Sequence, residues 1–124
     1  MDPQAVLPRL SISLDSGRKA IRTLALLDSG SAVNVLPYKI GIALGLTWDE
    51  RIATLPLVGN LAQFPAQAVS VACFVQDFPP VALAFAWTKS DHPPLILGQE
   101  NFFSYFDLCF FRATGEFEIQ PRQA

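Results

Sequence analysis

Two stretches of the 124-residue chain have the residue types for acid–base chemistry, and they are the same triplet. Asp15-Ser16-Gly17 and Asp28-Ser29-Gly30 lie thirteen residues apart. An Asp in such a triplet can act as a general acid or base, or it can cap backbone amides in a turn. The surroundings differ. Arg18 and Lys19 follow the first copy, as suits an exposed hairpin turn. The second lies between the apolar runs "LALL" and "AVNVL". A carboxylate between buried strands is costly to keep ionised unless something satisfies it. Gly30 lets backbone amides approach Asp28 closely. From these residues alone, a buried capping turn and a catalytic carboxylate are equal readings of the second copy.

The other candidates are weaker. Cys73 and Cys109 both sit in apolar runs, "VSVACFV" and "FDLCFF", and read as reduced core residues rather than a disulfide framework. They are too few for a Cys-rich zinc site, and His92 is the only histidine, so no metal is expected. Any nucleophilic triad would depend on that same histidine, which sits before two prolines in what reads as a solvated loop. Glu116 and Glu118 alternate with Phe117 and Ile119, the pattern of a strand's exposed face. Trp48 and Trp87 read as core or interface residues.

The elements that must position Asp28 are short. "RLSISL" alternates, placing Leu10, Ile12 and Leu14 on one buried face, and "KAIRTLALL" returns as the second arm of a hairpin. "AVNVL" is a short strand. Pro37 opens a helix over "YKIGIALGL", whose apolar residues are Ile40, Leu44 and Ala43, and Gly45 ends it. "RIATLPLVGNLAQFPAQAVSVACFV" reads as a long hairpin turning at Gly59-Asn60. "PPVALAFAW" and "PLILG" are strands separated by a polar, Pro-rich loop over 89–94. "QENFFSYF" is a short helix packing through Phe102, Phe103 and Phe106. "FDLCFF" is a buried strand, Thr114-Gly115 a turn and "EFEI" the last strand. Many short strands with one or two short helices make the chain mainly β.

Composition narrows the classes of function. A net charge of -2 offers no basic footprint for nucleic acid or anionic lipid. The N-terminal residues lack the pattern of a signal peptide, and no apolar run is long enough to span a bilayer, so the cytoplasm is the expected compartment. Charged residues make up only 16% of a chain with ten Phe, which points to apolar surface hidden in a subunit interface. The length suits one domain, taken as residues 1–124.

Taken together, "ALLDSGSAVNVLP" and "PLILGQENFF" resemble the two signature segments of the retropepsin-like aspartic proteases. In that family an apolar strand leads into Asp-Thr/Ser-Gly, and two apolar residues and a Gly come later, before a short helix. Here 70 residues separate Asp28 from Gly98, and the resemblance runs from about Leu10 to Ile119. It implies a closed β-barrel of the acid-protease type and an aspartic endopeptidase without a cofactor. Asp28 would be the catalytic carboxylate. Ser29 would lock two active-site loops together across a subunit boundary, and Gly30 would allow the tight turn. Ile96, Leu97 and Gly98 would pack behind the loop. Val58, Gly59, Asn60 and Leu61 would form the flap over a bound peptide.

The chemistry agrees with one such Asp per chain. Two close carboxylates cannot both ionise easily, so they share one proton and supply a base and an acid together. A two-fold homodimer brings one Asp28 against its copy. The expected partners are therefore a second copy and a peptide or unfolded-protein substrate, without nucleic acid or membrane. The alternative from another class is a non-catalytic dimerisation or peptide-binding module on the same fold. The sequence also departs from the retroviral members. They carry an acidic residue two positions after the catalytic Gly and an Arg after the second motif's Gly. Those positions are Ala32 and Gln99, so both halves of an ion pair are missing together. The flap segment "PLVGNLAQFP" holds a single Gly.

Overall fold

A computed structural model describes residues 8–55, 64–111 and 113–122. Strand β1 (Arg9–Asp15) pairs antiparallel with β2 (Ala20–Leu27) through the first Asp-Ser-Gly turn. As its alternation requires, β1 buries Leu10, Ile12 and Leu14. Next come β3 (Asn34–Leu36), helix α1 (Tyr38–Ala43), β4 (Ala66–Phe74), β5 (Val81–Thr88) and β6 (Ile96–Leu97). These six strands close a barrel in the order β1-β2-β6-β3-β5-β4. Helix α2 (Phe102–Tyr105) leads into β7 (Phe106–Phe111), which pairs with β8 (Glu116–Pro121) as a separate two-stranded sheet.

The barrel's interior is made by the inward faces of its strands, with Leu27, Leu36, Val71, Leu83, Phe85 and Leu97 all buried. The α2 segment seals it with stacked Phe102 and Phe106, ring centroids 4.9 Å apart, while Phe103 packs at its edge. Trp87 at the end of β5 is a core residue, and Trp48 is half-buried beside it at 5.4 Å. The Trp87 indole also explains a glycine. A methyl group on Gly41 of α1 would run into the indole ring. The residue α1 buries is Gly41, whereas Ala43, expected among its apolar contacts, is exposed.

Two further segments differ from what their local pattern predicts. Residues 51–55 were expected as the first arm of a long hairpin, yet they form no strand, and β4 pairs with β1 and β5 instead. The segment is tied by other means. The Leu55 amide donates to the Ala66 carbonyl, and the buried Gln67 side chain exchanges hydrogen bonds with the Asp49 backbone. The second segment is "FDLCFF". In β7 Phe106 is buried and Leu108 half-buried, while Asp107, Cys109 and Phe111 are exposed; Cys73 in β4 is buried as expected. A two-stranded sheet outside a barrel has one covered face, and Cys109 lies on the other. Among the described residues no helix is long and apolar enough to cross a membrane.

Candidate active site

Both Asp-Ser-Gly triplets share one contact, from the glycine amide to the aspartate side chain, on different backbones: Gly17 has a φ of +90°, and Gly30 does not lie in that region. The Gly17 amide donates to Asp15 Oδ1 at 2.7 Å, and the Gly30 amide donates to Asp28 Oδ1 at 2.9 Å. What lies behind each turn separates them. In the first, the Ser16 hydroxyl donates to the Leu44 carbonyl at 2.6 Å, pinning the hairpin tip to the end of α1. Its role is accounted for by structure.

The second triplet opens a loop, residues 28–33, between β2 and β3. Strand β6 is inserted between those two strands. Leu26 and Leu27 pair parallel with Ile96 and Leu97, and Val35 pairs antiparallel with Ile96. The segment running on from β6 then holds the loop amide by amide. Asp28 N–H donates to the Leu97 carbonyl at 3.0 Å. Gln99 N–H donates to the Ser31 carbonyl at 2.8 Å, and Glu100 N–H to the Ala32 carbonyl at 2.9 Å. Within the loop, Ser31 N–H donates to the Asp28 carbonyl at 3.0 Å and the Ser31 hydroxyl to the Val33 carbonyl at 2.8 Å. Gly98 is where the two segments touch most closely. A Cβ there would collide with the Val33 carbonyl and lie 2.7 Å from the Ser31 carbonyl oxygen, so only glycine fits.

Asp28 is thus a half-buried carboxylate on a rigidly held backbone, with one oxygen oriented by Gly30. Ser29 and Gly30 are exposed beside it. Ile96 is half-buried, and Leu97 and Gly98 are buried behind the loop. Ala32 and Gln99 are both exposed, and their backbones bond to each other's neighbours, Gln99 N–H to Ser31 and the Ala32 carbonyl to Glu100. The expected flap residues Val58, Gly59, Asn60 and Leu61 lie outside the described residues. No group of His, Cys, Asp and Glu among the described residues could hold a metal ion.

No family model matches the chain, and no curated protein does. Among solved structures, EIAV protease complexed with an inhibitor aligns with 81% of this chain and 88% of its own, with a TM-score of 0.57 and 16% identity. The fold is retropepsin-like. At that identity the likeness is one of architecture. The retropepsin-like barrel brings together the Asp28 loop and the 97–101 segment, which are far apart in the chain.

Two residues of this retropepsin-like core were not singled out from sequence. Asn34 is 1% exposed, and its side chain joins three elements. Its Nδ2 donates to the Ala84 carbonyl at 2.9 Å and to Asn101 Oδ1 at 3.0 Å, and its Oδ1 accepts from Gly98 N–H at 2.7 Å. Asn101 Oδ1 also accepts from Ala84 N–H at 2.8 Å. The available signal was an amide between Val33 and Val35 in an apolar strand, where a polar group must find partners.

Proposed function

We propose that the chain is an aspartic endopeptidase that works as a homodimer, with one Asp28 from each subunit. The observation that carries this reading is the Asp28 carboxylate. It is half-exposed on a loop latched by the 97–100 backbone, in a retropepsin-like barrel. Among the described residues one protomer presents a single such carboxylate, and the chemistry needs two, so a second copy is the economical source.

In the reaction, the ionised member of the pair takes a proton from water as the oxygen attacks the peptide carbonyl carbon. The protonated member gives its proton to the carbonyl oxygen. The tetrahedral intermediate collapses with a proton passed to the amide nitrogen, the C–N bond breaks, and the pair again holds one proton. Ser29 supports the two loops across the dimer axis. The substrate is an extended segment of peptide or unfolded protein.

The test is cleavage of an unfolded protein at mildly acid pH by purified protein, with Asp28→Ala as control. Cleavage lost in the variant supports the enzyme. A dimer that binds peptide without cleaving it, in wild type and variant alike, identifies a binding module instead.

A further inference from the structure

We propose that Asn34 is a positioning residue for Asp28. Its buried side-chain amide fixes the 97–101 segment that holds the Asp28 loop, in place of an ion pair between positions 32 and 99. The catalytic part of this inference rests on the function proposed above; the latch itself does not.

The arrangement leaves the amide no freedom. Asn34 Nδ2 faces two acceptors, the Ala84 carbonyl and Asn101 Oδ1, and its Oδ1 faces one donor, Gly98 N–H. A flipped amide would set oxygen against two oxygens and NH2 against N–H. With Asn34 in place, three successive amides, Gly98, Gln99 and Glu100, all donate into the 28–34 segment. The first goes to the Asn34 side chain and the others to loop carbonyls. Loss of the first contact frees the segment next to the Asp28–Leu97 bond. Positions 32 and 99 are both exposed and carry no charge, so no ion pair joins the two segments there. The latch is neutral throughout. Asp28 and Glu100 are the titratable groups of the joined segments, and β5 has none. Neither carboxylate hydrogen-bonds to the Asn34 amide among the described residues. The loop's geometry therefore does not depend on a titrating partner, unlike an acid–guanidinium pair, which loses its charge as the carboxylate protonates.

The donor–acceptor assignment makes the two asparagines unequal, and the test uses that. Asn34→Asp replaces the NH2 donor with an oxygen aimed at two acceptors, so the variant keeps the latch only while the new carboxyl holds a proton. Asn101→Asp keeps an acceptor facing the Asn34 NH2 and the Ala84 N–H. Asn101→Leu removes that acceptor without introducing a charge. The readouts are hydrogen-exchange protection of the Asp28, Gly98 and Gln99 amides, followed by NMR across pH, and kcat and KM on a cleaved peptide. For Asn34→Asp at pH 7, protection at these amides should fall about tenfold or more, the size of one lost buried hydrogen bond. It should recover as the pH is lowered. Its kcat should fall with KM little changed, and its kcat profile should gain a further loss on raising the pH, in addition to the one the wild-type carboxylate pair shows when its shared proton leaves. Asn101→Asp should match wild type, and Asn101→Leu should lose protection at Gly98.

Equal behaviour of Asn34→Asp and Asn101→Asp overturns the latch, as does wild-type protection in Asn101→Leu. If Asn34→Asp does not fold at any pH, the two Asn101 variants decide, and equal protection in both refutes the proposal. If the wild type proves inactive, the exchange data still decide the latch while the catalytic reading falls separately.

Discussion

The Asp28 amide donates to the Leu97 carbonyl at 3.0 Å, joining the two sequence segments on which the functional reading depends. One strand pair further back, Leu27 lies beside Leu97 in the barrel. The carboxylate therefore sits one residue beyond a buried parallel pairing. Both of its backbone polar groups are hydrogen-bonded, while its side chain is half-exposed. That combination suits a general base, which must be held in place yet touch water.

Asp28→Asn should fold and lose peptidase activity. The amide oxygen still accepts from Gly30 N–H, so the turn survives, but it cannot take a proton from water. Asp15→Asn should be nearly silent, within about 0.5 kcal/mol in stability, because its role is confined to an exposed turn. Urea unfolding beside a cleavage assay checks both. Activity lost in the Asp15 variant alone reverses the assignment of the two triplets.

Gly98→Ala should destabilise the fold by about 1–3 kcal/mol, the usual cost of forcing extra volume into a packed site. The added methyl meets the carbonyls of Val33 and Ser31, which are backbone and cannot swing aside. The midpoint of denaturant unfolding measures this, and an unchanged midpoint contradicts the close approach.

Specific activity should fall on dilution, as dimers separate and the carboxylate pair is lost. Ser29→Ala should move that fall to higher concentration, by about 1–3 kcal/mol in dimer stability if its hydroxyl leaves a buried partner unsatisfied. Ser29→Thr should behave as wild type. Sedimentation beside an activity dilution series tests this. Constant specific activity in a sample shown to be monomeric excludes a shared site.

The two thiols should separate cleanly. Burial pushes the Cys73 thiol up to about 12 from an ordinary 9.0, so it stays neutral and shielded, whereas Cys109 is exposed. A thiol reagent on the native protein should modify Cys109 first and Cys73 only on unfolding. The shift also has a sign in stability. The folded state keeps the Cys73 proton that the unfolded state gives up at lower pH. This contribution is complete below the unfolded value and is lost progressively as pH rises through the folded one. Cys73→Ala should therefore show less alkaline destabilisation than wild type between about pH 9 and 12. Parallel melting curves for the two proteins would contradict the shift.

Most of the barrel was legible in the chain. Alternation in "RLSISL", Pro37 ahead of a helical apolar spacing, and the Phe-rich run after Gly98 each specify an element through local physics, and each element formed. Local physics failed where a segment's partner was distant. Residues 51–55 have strand-like composition, yet among the described residues only the Leu55 amide reaches β4, at the Ala66 carbonyl, and one bond makes no ladder. "FDLCFF" is apolar apart from Asp107, yet a two-stranded sheet on the barrel's outside covers only one of its faces, which left Cys109 exposed.

The site divides in the same way. The sequence by itself determined that Asp15 and Asp28 each sit in an Asp-Ser-Gly turn and each accept the amide of the glycine two residues on, because that three-residue contact needs nothing from outside it. Only the tertiary structure decided what each turn serves. It brought Leu44 to Ser16 and so made the first a structural tie. It brought Leu97, Gln99 and Glu100 to the second, and seated Asn34 between Gly98, Ala84 and Asn101. Those contacts span some fifty to seventy residues of chain. They exist because inserting β6 between β2 and β3 lays the backbone beyond it along the Asp28 loop, where its amides meet the loop carbonyls and one buried asparagine.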